Sequence, residues 1–363
     1  MFVVRLPKAY QLNYDSGDRT NRRDRKVMNE ENLVTPGHKF ALLAIRCRRG
    51  ELPPRLPLAP DVLATTSSPV EFGNHWKEWL GTIRFQNFQD YKLFFITTSM
   101  SKNPDILDNE NRVLHERLWR LLVGLLLAGR TAFEKPDFML GAHGSHGLSV
   151  RQIGEHELAT EILGLGADPI DADTLERAWT IARQIDGWNG CGPAWRINRV
   201  LTNFVETRAI LDIPDRIHQF CRCIEGFILP DAGDTRKQFK SRTEMFIGPE
   251  YHDLMGQIYD VRSKVEHLHH QKLFDPAERG KRLALARYAA ILEAIARNCI
   301  TRLLSTPDLW PHFRTDDALQ AFWRLPADER RALWGTAVPP ADAIKGFQED
   351  RISDEALGLP AHP

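Results

Sequence analysis

Residues 259–272 read YDVRSKVEHLHHQK, the densest run of chemically capable side chains in a 363-residue sequence. It holds a permanent cation, Arg262, a carboxylate, Glu266, and three histidines, His267, His269 and His270. An arginine five residues ahead of a histidine joins a group that stays charged to one that titrates near neutrality. Metal-free RNA cleavage needs both. A guanidinium can hold the scissile phosphate and offset the charge that develops on it. An imidazole can take the 2′-hydroxyl proton or protonate the leaving oxygen. Metal binding would need convergent ligands, such as the i, i+4 histidines of HExxH. The three histidines here lack that spacing, so the reading includes no metal and no cofactor.

The spacing carries limited weight by itself. With 35 arginines and 13 histidines in the chain, about one such match arises by chance. A second one exists, Arg151 to His156, but it flanks Gly154 just after the glycine-rich GAHGSHG (residues 141–147) and looks incidental. His143 and His146 in that segment read as part of a turn. On a regular helix, positions five apart lie about 140° apart around the axis, so Arg262 and His267 diverge. His269, seven residues on, lies nearer the direction of Arg262 and competes for the same role. Either the helix frays here or a second chain completes the site.

The elements around this run are helical. Ile210, Ile213, Ile217, Phe220, Cys221, Ile224 and Ile228 mark a long amphipathic helix that begins near Pro214 and is stopped by Pro230. Thr235–Phe246 forms a shorter basic helix, with Arg236, Lys237, Lys240 and Arg242 as the candidate RNA-binding side chains. Leu254, Ile258, Val261, Val265 and Leu268 give a third helix with a narrow apolar stripe. Leu285, Tyr288, Leu292, Ile295, Cys299 and Leu303 give a fourth, stopped by Pro307. An antiparallel bundle is the economical way to bury four such stripes. The structural alternative to catalysis is that Arg262 pairs with Glu225 or Asp260 while the histidines favour a helix C-terminus.

Residues 196–306 resemble a HEPN domain, most closely the ApeA-like subgroup. The matching residues are Ile224-Glu225-Gly226-Phe227-Ile228 at the end of the first long helix and Phe239-Lys240-Ser241-Arg242 in the second. The third helix carries Tyr259-Asp260-Val261-Arg262-Ser263, then Val265-Glu266-His267. Ser263 fills the polar place that often follows the family's arginine. Leu268 departs from the glycine usual in the subgroup. The resemblance implies a metal-independent endoribonuclease, a toxin or anti-phage effector, working as a homodimer whose two motifs form one composite site. Arg262 and His267 would be catalytic, with Ser263, Glu225, Tyr259 and His269 in support. An antitoxin or regulatory protein would be a further partner. The alternative is a non-catalytic HEPN-type module that binds a partner protein or nucleotide.

The rest of the chain is less informative. MFVVRL and FALLAIRC read as short strands around a polar loop with Arg19, Arg22, Arg23, Arg25 and Lys26. ELPPRLPLAP (residues 51–60) reads as an extended connector, and IRFQNFQDYKLFFIT as one or two strands. A helix follows from Pro104, with Leu107, Leu114, Leu118, Leu121, Leu122 and Leu125 at helical spacing and Gly129 as its stop. Ile153–Ile185 reads as two short helices, and Gly187–Trp195 as a boundary. The expectation is an α+β protein, mainly α. A mixed domain, with a sensing or restraining role, spans residues 1–190. The bundle spans 196–306, and a Trp-containing helical extension spans 307–363. Equal numbers of basic and acidic residues, 48 each, argue against a uniformly cationic nucleic-acid or membrane binder. Five scattered cysteines without a CxxC pair suit a reducing compartment. A signal-peptide pattern is lacking, and the longest apolar run is about half of what a membrane span needs. The expected location is cytoplasmic.

Overall fold

The computed structural model describes residues 34–70, 78, 80–267 and 278–359. The MFVVRL segment, the Arg19–Lys26 stretch, His269 and His270 lie outside the described residues. The chain is α+β. Its strands are β1 (His38–Ile45), β2 (Arg55–Ala59), β3 (Val62–Thr65), β4 (Leu93–Met100), β5 (Asp137–Gly144) and β6 (Gly147–Glu155). They form one antiparallel sheet in the order β2-β3-β4-β1-β5-β6. Central β1 is buried on both faces, which is why it reads as the unbroken apolar run FALLAI rather than as an alternating pattern. Helix α1 (Thr82–Asp90) precedes β4, and α2 (Asn109–Ala128) lies across the sheet. Leu118, Leu121, Leu122 and Leu125 of α2 share a core with Ala41, Leu43 and Ile45 of β1. Asp108 caps α2 through the Glu110 amide. The fully buried Lys39 of β1 reaches Asp108 at 2.7 Å and Glu110 at 3.1 Å, tying strand to helix.

Three expectations from the sequence are corrected here. Residues 82–90 are helical. Phe85 and Phe88 sit three apart, and Phe88 packs on Phe94, so helical period prevails over aromatic content. The proline-rich segment contains β2 at the sheet edge, where Pro57 is tolerated because an edge strand has amides without ladder partners. Residues 153–185 contain the end of β6 and a single helix, α3 (Ala172–Gly190), capped by Asp171. The GAHGSHG segment is the β5–β6 hairpin, with Gly147 at φ +85°. The Gly187–Trp195 segment holds the last turn of α3, with Trp188 fully buried in it, and the corner that leads into α4 (Trp195–Ala209).

The remaining helices are α5 (Ile213–Ile228), α6 (Thr235–Ile247), α7 (His252–Glu266) and α8 (Arg279–Ser305). The short segments α9 (Trp310–Phe313), α10 (Asp316–Arg324), α11 (Ala327–Trp334) and α12 (Pro340–Ala343) follow. Helix α5 is central, packing against α4, α6, α7 and α8. Its amphipathic pattern buries Ile217, Phe220, Ile224 and Phe227, and both Cys221 and Cys223. A Cβ on Gly226 would lie 2.1 Å from a Val200 methyl, so glycine permits the close approach of α4 and α5. The tail packs on the bundle. Trp334 stacks near Phe246 with ring centres 4.8 Å apart, and Trp323 Nε1 donates to the Phe227 carbonyl. Among the described residues, no helix is long and apolar enough to cross a membrane.

Candidate functional site

Helix α7 presents Arg262 to the side of α5. Its Met255, Ile258 and Val261 enter the core. Arg262, one position beyond Val261, emerges at the edge of that buried face. Its Nη2 donates to Glu225 Oε2 of α5 at 3.1 Å, and both side chains are only 16 % exposed. Its Nη1 lies 3.5 Å from Glu266 Oε2, one turn along the same helix. The guanidinium carbon sits 5.6 Å from the Tyr259 ring centre, within cation–π range. Tyr259 itself packs on Phe239 of α6, which fixes the ring from behind.

Electrostatics follow from this packing. Burial pushes the Glu225 carboxyl above its usual range, against the opposing pull of Arg262. Burial would lower the Arg262 guanidinium, but Glu225, Tyr259 and Glu266 outweigh it, and the net shift is upward. Arg262 remains a cation throughout. Glu266 is held below the usual range, chiefly by its hydrogen bond from His218, with Arg262 adding to the effect. Burial raises Tyr259.

The histidine joined to Arg262 through a shared partner is therefore His218 of α5, which contacts Glu266 Oε2 through Nε2. Sequence reasoning passed over it because it lies 44 residues before Arg262. The available signal was its position on α5 one turn before Arg222 and two turns before Glu225, facing the same neighbouring helix. His267 occupies the C-cap of α7 and is exposed, its backbone amide bonded to the Ser263 carbonyl. Ser263 is half-buried. The structure thus gathers Glu225, Glu266 and Tyr259 around the Arg262 guanidinium and leaves His267 at the solvent end of the helix.

The basic residues of α6 are largely engaged within the fold. Arg236 makes a two-point contact with Asp260 at 2.7 and 2.9 Å, so Asp260 serves Arg236 rather than Arg262. Lys240 lies 3.3 Å from Asp253. Arg242 donates to the Ile228 and Leu229 carbonyls and lies over the Trp323 ring. Lys237 is exposed. Among the described residues, no three histidine, cysteine, aspartate or glutamate side chains gather as a metal-ligand set. The second Arg-x4-His match is split: Arg151 lies 3.7 Å from Asp105, while His156 stacks on His115. A cavity of about 720 Å³ opens elsewhere, between Arg46, Tyr91, Lys135 and Asp137, and shares no residue with the Arg262 cluster. No protein-family model matches the chain, and no curated protein or solved structure is detectably similar to it.

Proposed function

We propose that this chain is a metal-independent endoribonuclease of the HEPN type, acting on cytoplasmic RNA as a homodimer, in a growth-arrest or anti-phage role under the control of a regulatory protein. One observation carries the reading. A guanidinium backed by Glu225 and Tyr259 stands at the edge of a helical bundle, and the same helix ends in an exposed histidine, His267. The backing carboxylate orients the arginine, which then holds the scissile phosphate and stabilises its developing charge. His267 moves the proton, as base toward the 2′-hydroxyl or as acid toward the leaving oxygen. Five residues of helix separate the two groups by about 7.5 Å along the axis and about 140° around it. A second copy, bringing its own arginine and histidine across a two-fold, supplies the convergence that one helix lacks.

The test is RNA cleavage by purified protein and by Arg262→Ala and His267→Ala variants whose folding is checked by circular dichroism. Each variant is expected to lose about 10²–10⁴-fold in rate, the usual cost of removing an acid–base or clamping group. Unchanged cleavage in both variants would reassign the activity. A second reading, a non-catalytic helical module that binds a partner protein, draws on the internal pairing of Arg236, Lys240 and Arg242. Loss of partner binding without any nuclease activity would favour it.

A further inference from the structure

Glu266 stands apart from the other members of the Arg262 cluster. His218, Arg262 and Glu225 are 13 %, 16 % and 16 % exposed at the side chain, whereas Glu266 is 43 % exposed. Three side chains form a floor and the fourth lies over it. A single oxygen of the fourth, Glu266 Oε2, meets both His218 Nε2 and Arg262 Nη1, the latter at 3.5 Å. The Gln219 side-chain nitrogen is 3.3 Å from His218 Nδ1. With that amide donating to Nδ1, the imidazole proton sits on Nε2 and points at Glu266. One oxygen between an imidazole N–H and a guanidinium N–H is the arrangement that holds a non-bridging phosphate oxygen.

Charge and satisfaction agree with this geometry. Arg262 and Arg222 both draw on Glu266 and on Glu225, while Asp215 and Glu225 lie within the field of His218. Moving the Glu266 carboxylate aside leaves Arg262, still paired with Glu225, and the His218 N–H facing an incoming anion, within the positive field of Arg222. Arg262 Nε is buried without a hydrogen-bond partner among the described residues, so the floor keeps a donor that its present contacts leave unused. Glu266 is the last residue of α7 and His267 beyond it is exposed. Rotation of one side chain at a helix end opens the site.

We propose that Glu266 is an internal anion seated in a phosphodiester site formed by His218 and Arg262, and that a backbone phosphate of RNA opens the site by displacing it. RNA as the source of the phosphate rests on the ribonuclease reading; the anion site rests on the geometry. Glu266 thereby sets a threshold. Weak or isolated anions fail to dislodge it, and a polyanion that gains contacts elsewhere succeeds.

The experiment measures binding of a fully 2′-O-methylated RNA, which lacks the attacking hydroxyl, to the full chain and to Glu266→Gln, by fluorescence anisotropy at several salt concentrations. Glu266→Gln is expected to bind about tenfold tighter than the unaltered chain. The gain should vanish when His218→Ala or Arg262→Ala is added. A gain that survives His218→Ala, or no gain at all, overturns the proposal. Equal tightening toward inorganic phosphate, with none specific to RNA, overturns the assignment of the anion. If Glu266→Gln shows the gain but ordinary RNA is never cleaved, the anion site stands and the ribonuclease reading falls. Cleavage of ordinary RNA with no gain in Glu266→Gln gives the converse.

Discussion

Arg262 is held by geometry that a surface arginine would lack: a carboxylate 3.1 Å away on another helix and an aromatic face within cation–π range. Because Glu225 is largely buried, deleting it leaves the guanidinium without its main counter-charge. Glu225→Ala is expected to lower stability by about 1–3 kcal/mol. A double-mutant cycle with Arg262→Ala, read by urea denaturation, should show the two losses to be less than additive. Full additivity would mean that the pair is not coupled. The importance of Arg262 could be argued from the Tyr259–His267 run, and Glu225 was within reach as a partner. His218 was not, because its role depends on how α5 and α7 face each other. Linear spacing describes neighbours on one helix and carries no information about neighbours on the next.

At the scale of elements, apolar periodicity placed α5, α6 and α7 to within a few residues, since long stripes buried against neighbours leave a strong 3.6-residue signal, while α8 starts at Arg279, well before the Leu285 that opens its stripe. The short elements of the first half were harder to read. Helix α1 has only nine residues, and β6 is a half-exposed edge strand, so neither produces a long pattern. Where β6 ends, His156 lies against His115 of α2, the rings nearly parallel and the two Nε2 atoms 3.1 Å apart. Burial, and the presence of His115, lower His156 to about 3; burial lowers His115 as well. Both are neutral in the folded chain at pH 7, and one donates to the other. Below about pH 6.5 the unfolded imidazoles take up protons that the folded pair refuses. Stability contributed here is therefore full above about 6.5 and falls as the pH drops toward 3, by up to about 1.4 kcal/mol per pH unit for His156. His156→Gln should flatten the acid limb of a denaturation-versus-pH profile relative to the unaltered chain. Identical slopes in the two proteins would contradict this.

Across the whole molecule, the sheet and the bundle share polar as well as apolar contacts. Arg208 at the end of α4 is 2 % exposed and meets Glu293 of α8, also 2 % exposed, at 3.3 Å. The same guanidinium donates to the Thr131 and Thr160 carbonyls, in the loops that leave α2 and β6. Glu293→Gln would leave a buried cation without its counter-charge and should cost about 3–5 kcal/mol, measured as a drop in the urea midpoint. A change below about 1 kcal/mol would show that the pair is dispensable. No feature of the sequence marked this link, because its members lie in four segments up to 162 residues apart. The proposed function rests on what the Arg262 end of the bundle does to RNA. Its most direct measurement is the chemistry of the product ends after incubation with RNA in excess EDTA. Cleavage is expected to leave a 2′,3′-cyclic phosphate and a 5′-hydroxyl, to be absent on DNA of the same sequence, and to be lost in Arg262→Ala. Activity abolished by EDTA, or cutting of the all-DNA strand, would contradict it.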